Sequence, residues 1–90
     1  MIRGKSYKAI ATDIAEGYVT VNPLFLKPLD ADTLKQLYEE VIKLQSTVRA
    51  EKFPFSDMQA IRLRNLKLSR LQQALTVIKN FARERRILLV

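Results

Sequence analysis

Three short stretches of this chain carry residue types that could do chemistry. Gly4-Lys5-Ser6 has the form of the tail of a phosphate-binding loop, where backbone N–H groups and a lysine cradle phosphates. The full G-x-x-x-x-G-K-[ST] pattern needs an earlier glycine and a preceding strand. The residues before Gly4 supply neither, so phosphate binding is not expected there. Asp30-Ala-Asp32 has the form of a two-carboxylate metal motif, but helix capping by Asp30 accounts for it without a metal. Glu39 and Glu40 are adjacent on a helix and diverge by about 100°, so they cannot close on one substrate as an acid–base pair. The chain has no cysteine, hence no thiolate nucleophile, thiolate metal site or disulfide. It has no histidine either, which removes the commonest general base and the commonest metal ligand. Asn22, Asn65 and Asn80 lie outside glycosylation sequons. No catalytic residue, cofactor or metal site is assigned, and an enzyme is not expected.

The remaining chemistry is charge. The net charge is +7, and residues 53–90 carry +6 of it: Arg62, Arg64, Lys67, Arg70, Lys79, Arg83, Arg85 and Arg86 against Asp57 and Glu84. So uneven a basic load points to an anionic partner such as nucleic acid, or to a solvated face kept for solubility. Arg64, Lys67 and Arg85 border an apolar arc and are expected to snorkel or to pair across an interface. Arg62, Lys79, Arg83 and Arg86 are the candidate contacts to nucleic acid or an acidic partner. No helix-turn-helix, zinc-finger or RNA-recognition signature occurs, so any such contact would be to phosphates. Phe53, Phe55 and Phe81 read as core rather than as stacking platforms for bases.

These cations sit on the element around which the chain is organised. Residues 56–87 contain neither Gly nor Pro and predict one helix roughly 45 Å long. Ser56 and Gln59 fit a capping box at its start. At about 100° per residue, Ile61, Leu66, Leu68, Leu71, Ala74, Leu75, Val77, Ile78, Phe81 and Ala82 cover well over half the circumference. A helix with one neighbour needs a stripe only about 100° wide, so at least two partners are expected. Leu63, Leu66, Val77 and Phe81 are the candidate oligomer interface.

Residues 30–51 predict a second helix, capped by Asp30 and stapled by Leu29 and Leu34. Its seam is Leu34, Leu37, Val41, Leu44 and Val48, with Lys35, Glu39, Lys43 and Ala50 opposite. Residues 52–55 form a turn, since Phe53 precedes a proline. A short turn makes the two helices antiparallel neighbours whose facing residue numbers sum to about 109, pairing Val41 with Leu68 and Leu34 with Leu75. That register sets Glu39 and Glu40 near Arg70.

Residues 1–29 are a packing segment. Ser6–Glu16 fits a helix stopped by Gly17, or a strand paired with Tyr18–Val21; the helix is the favoured reading. Residues 24–29 run on as a connector, with Pro23 and Pro28 preventing regular structure. Ile10, Ile14, Leu24, Phe25 and Leu26 are expected to cover Ile78, Phe81 and Ala82, and Ile87–Val90 to dock beside Tyr18–Val21 as a strand.

The expected architecture is therefore mainly all-α: one domain over residues 1–90, built as an antiparallel helical hairpin with its N-terminal segment at the open end, dimerising into a bundle. No secretory leader or bilayer-spanning run is present, so a cytoplasmic protein without membrane contact is expected. The expected function is a non-enzymatic assembly or adaptor module that self-associates and binds a protein partner. The alternative is a basic nucleic-acid-binding accessory protein.

Overall fold

The computed structural model describes residues 2, 4–51 and 57–89, and within them the chain folds as four packed helices with no strand. The helices are α1 (Tyr7–Glu16), α2 (Pro23–Leu26), α3 (Ala31–Ala50) and α4 (Met58–Glu84). The predicted turn at 52–55 and the proposed Ser56 cap lie outside the described residues.

Helix α1 is a helix for local reasons. Ser6 Oγ accepts from the Ala9 N–H at 3.1 Å, satisfying a donor that the first turn would leave orphaned. At the other end Gly17 takes φ 83°, Tyr18 N–H donates to the Asp13 carbonyl at 2.9 Å, and Gly17 N–H donates to the Ile14 carbonyl at 3.2 Å. That pair of bonds is the Schellman arrangement, which needs a left-handed residue at the position Gly17 fills.

Helix α2 was expected to be irregular. Pro23 instead sits in its first turn, where a missing N–H costs nothing, and Asn22 Oδ1 accepts from the Phe25 N–H at 2.9 Å. Phe25 and Leu26 are buried by this turn, while Leu24, expected to cover α4, points outward at 81% exposure. Helix α3 begins as expected: Asp30 Oδ1 accepts from the Thr33 N–H at 2.8 Å, and that bond holds the Asp30 carboxyl below its usual pKa. Leu34 is fully buried, with Leu29 half-buried beside it.

The start of α4 is capped by Asp57, whose Oδ1 accepts from the Ala60 N–H at 2.9 Å. Its end comes at Glu84, earlier than the expected Ile87. Arg86 adopts φ 57°, its N–H donates to the Arg83 carbonyl at 3.1 Å, and Ile87 N–H donates to the Ala82 carbonyl at 2.8 Å. This is a second Schellman stop, formed on an arginine rather than a glycine. The half-buried Ile87 and the buried Ala82 are the apolar pair that usually accompanies the motif. The chain thus folds back, and 87–89 form no strand with Tyr18–Val21.

Helix α1 packs on both α3 and α4, α2 packs on α4, and α3 packs along α4. Ile10, Leu26, Leu34, Leu37, Val41, Leu71 and Ile78 form the fully buried centre. All the buried residues of α4 lie in its C-terminal half, from Leu71 to Ala82. Contacts with α3 depart from the equal-spacing register, which would set Arg64 opposite Gln45. Gln45 Nε2 instead donates to Gln72 Oε1 at 3.1 Å, and Arg64 reaches the carbonyls of Val48 at 3.3 Å and Arg49 at 3.0 Å. Those carbonyls belong to the last turn of α3: Val48 also accepts from the Glu51 N–H at 3.2 Å, and Arg64 adds a side-chain donor to it and to Arg49. Matching apolar seams ignores such bonds.

Burial separates two leucines that composition cannot. Leu71→Ala is expected to lower the unfolding free energy in urea by about 2–5 kcal/mol, because it empties a closed site. Leu24→Ala is expected to change it by no more than about 0.5 kcal/mol. Equal losses would contradict this core.

Candidate functional site: a basic groove and an apolar helix face

Much of the basic load on α4 is occupied inside the chain. Arg70 Nη1 donates to the Ala15 carbonyl at 3.0 Å, not to Glu39 or Glu40. The Schellman bonds leave that carbonyl of α1 unserved, so Arg70 completes the helix end. Lys67 Nζ lies 3.2 Å from Glu16 Oε1 at the same end of α1. Both cations stand where the helix dipole is negative. Arg64 serves α3 as described, and Arg85 stacks on the Phe81 ring with its guanidinium carbon 4.3 Å from the centroid.

The four candidate contact residues remain exposed, and among the described residues none of them pairs with a carboxylate. They do not form one site. Lys79 and Arg83, one turn apart on α4, and Arg86, in the stop beyond its end, line a groove of about 540 Å³. Its apolar surface comes from Tyr38, Ala82, Ile87, Leu88 and Leu89. Arg83 Nη2 is steadied by Asn80 Oδ1 at 3.0 Å. Arg62 stands roughly 25 Å away, near the start of the same helix.

The four candidate interface residues also divide. Phe81 is buried at 7% exposure, and Val77 packs on the same core, so the chain itself covers both. Leu63 and Leu66 are exposed at 55% and 45%, and Met58 joins them at 64%. With Arg62 and Gln59 they line a shallow depression. Their spacing from 58 to 66 places them on one side of α4. Met58 carries no expectation from the sequence, while Leu88 and Leu89, expected to dock beside Tyr18–Val21, line the groove with Tyr38 and Ala82 instead. Met58 lies eight residues before Leu66 on the same face, a signal that helical periodicity holds. Leu88 and Leu89 reach the groove only because the helix stops at an arginine.

The other candidate chemistry has structural partners. Lys5 Nζ pairs with Asp13 Oδ2 at 2.7 Å, Ser6 and Asp30 cap helices, and Glu40 pairs with Lys43 at 3.5 Å. Among the described residues no three His, Cys, Asp or Glu side chains could share a metal ion, and no helix is long and apolar enough to cross a membrane. No protein family, curated protein or solved structure matches this chain.

The division of cations has a direct test. Arg64→Gln is expected to lower the unfolding free energy by about 1 kcal/mol, through lost bonds to the end of α3. Arg83→Gln should leave it within about 0.5 kcal/mol. Arg86→Gly should raise it by about 1 kcal/mol, since glycine adopts positive φ without the Cβ penalty. Urea titration of the three variants reads all of this, and a destabilised Arg86→Gly would contradict the stop as described.

Proposed function

We propose that this chain is a non-catalytic helical assembly module: α3 and α4 act as an antiparallel hairpin, and the first half of α4 joins a second copy. The observation that carries the reading is the exposure of Met58, Leu63 and Leu66 on one side of a helix whose other half is buried. Large apolar side chains gathered on one face favour an interaction site over scattered surface residues. A second copy offers the same face, and two-fold pairing buries it on both chains at once. An axis near Arg62 would set Met58 of one copy against Leu66 of the other. The groove under Lys79 and Arg83 stays free for a further protein partner in such an assembly.

A second reading, nucleic-acid binding, is favoured by one observation: Arg62, Lys79, Arg83 and Arg86 are exposed cations without a carboxylate partner among the described residues. Binding of that kind runs through phosphates and releases counterions, so log affinity falls with log salt by about 0.7–0.9 per phosphate.

Light scattering at micromolar concentration should report twice the 10.4 kDa chain mass, and Leu63→Glu with Leu66→Glu should halve it without loss of helical circular dichroism. A wild-type monomer would overturn the assembly reading. Fluorescence anisotropy with single- and double-stranded oligonucleotides separates the second reading. Salt-dependent binding that is weakened by Arg62→Glu, Lys79→Glu and Arg83→Glu would support it, and no binding at physiological salt would remove it.

A further inference from the structure

We propose that the groove beneath Lys79, Arg83 and Arg86 receives an acidic protein segment, which inserts one apolar side chain and sets two carboxylates on the cationic rim. This rests on the reading of the chain as a partner-binding module, but not on its self-association face, which lies at the other end of α4.

The groove combines two chemistries. Its floor is apolar, from Tyr38, Ala82 and Leu89, and its volume of about 540 Å³ is that of a side-chain or small-ligand pocket. Its rim carries three cations, and among the described residues no carboxylate pairs with them. Like charges gathered on one face repel, and an incoming pair of carboxylates converts that repulsion into attraction.

Shape decides between anionic partners. A nucleic-acid backbone has no apolar group to fill the floor, and Tyr38, at 8% exposure, offers no ring face for a base to stack on. An acidic segment satisfies floor and rim together. Lys79 and Arg83 are one helical turn apart, so their complement is two carboxylates three or four positions apart on a helix, flanking a Leu, Ile or Phe.

Arg86 adds a local cost to the site. It holds a left-handed conformation in which glycine would be relaxed, and so places a guanidinium on the rim. Arg86→Gly therefore separates folding from binding: the variant stays folded and loses affinity.

The test is selection of random peptides displayed on phage against the full chain at physiological salt. Enriched sequences should carry two Asp or Glu three or four apart around one large apolar residue. A synthetic peptide of that consensus should shift the amide resonances of Ala82, Leu88 and Leu89. Lys79→Glu with Arg83→Glu should weaken it roughly tenfold or more, and lysines in place of the peptide's carboxylates should restore binding to that variant. Arg86→Gly should weaken it with helicity intact. Enrichment without acidic residues would overturn the proposal. So would a consensus peptide indifferent to the groove variants, or to loss of its own apolar residue. Stronger shifts at these amides from an oligothymidylate of about 20 nucleotides, or from phosphatidylserine-containing vesicles, would assign the groove to that partner instead. Self-association is read separately from variants of Leu63 and Leu66, so failure here leaves that result standing and identifiable.

Discussion

The contact between Arg70 and the C-terminal end of α1 ties α4 to α1 beside the buried Ile10, Ala11, Ile14 and Ala15. A helix leaves its last carbonyls without internal partners, and burying such an end unserved is costly. In α1 the Schellman bonds serve Asp13 and Ile14, and the Arg70 guanidinium, delivered from a helix 55 residues away in sequence, serves Ala15. The guanidinium lies close against Gly17, whose positive φ is what the stop requires. A Cβ there would stand 2.9 Å from the guanidinium carbon of Arg70. The glycine that lets α1 stop is thus also the one against which α4 closes.

The same solution recurs on the neighbouring helix, where Arg64 bonds the last-turn carbonyls of α3. Helix α4 carries two arginines, six residues apart, that finish two other helices. This reshapes the meaning of its charge. A +6 segment suggests a polyanion partner when its cations are counted together. Arg64, Lys67, Arg70 and Arg85 have partners inside the chain, and the exposed remainder divides between a three-cation groove and a solitary Arg62 beside an apolar face. The proposed roles follow from that division rather than from total charge.

Local grammar made much of the fold legible. Ser6 and Asp30 as caps, Gly17 as a stop, and the Leu34, Leu37 and Val41 seam all follow from short-range rules, and the structure agrees with each. What escaped was partly local and partly not. Pro23 alone reads as a breaker, and the adjacent Asn22 cap makes it the first turn of α2. The stop at Arg86 had no glycine to announce it. Side-chain charges are visible in a sequence and orphaned carbonyls are not, so the sequence pairs Arg70 with Glu39 and Glu40 where the fold pairs it with Ala15. The apolar arc of α4 correctly called for more than one neighbour. Which part stays uncovered depends on the packing of the whole chain, which buries Phe81 and leaves Leu63 and Leu66 exposed.

Hydrogen exchange of the Arg70→Met variant tests most directly whether Arg70 holds α1 in place. Methionine keeps the apolar stem and removes the guanidinium. Amide protection should fall selectively in α1, from Ile10 to Glu16, while amides of α3 and of α4 beyond Leu71 keep their wild-type protection. Unchanged protection in α1, or an equal loss across all four helices, would contradict that role.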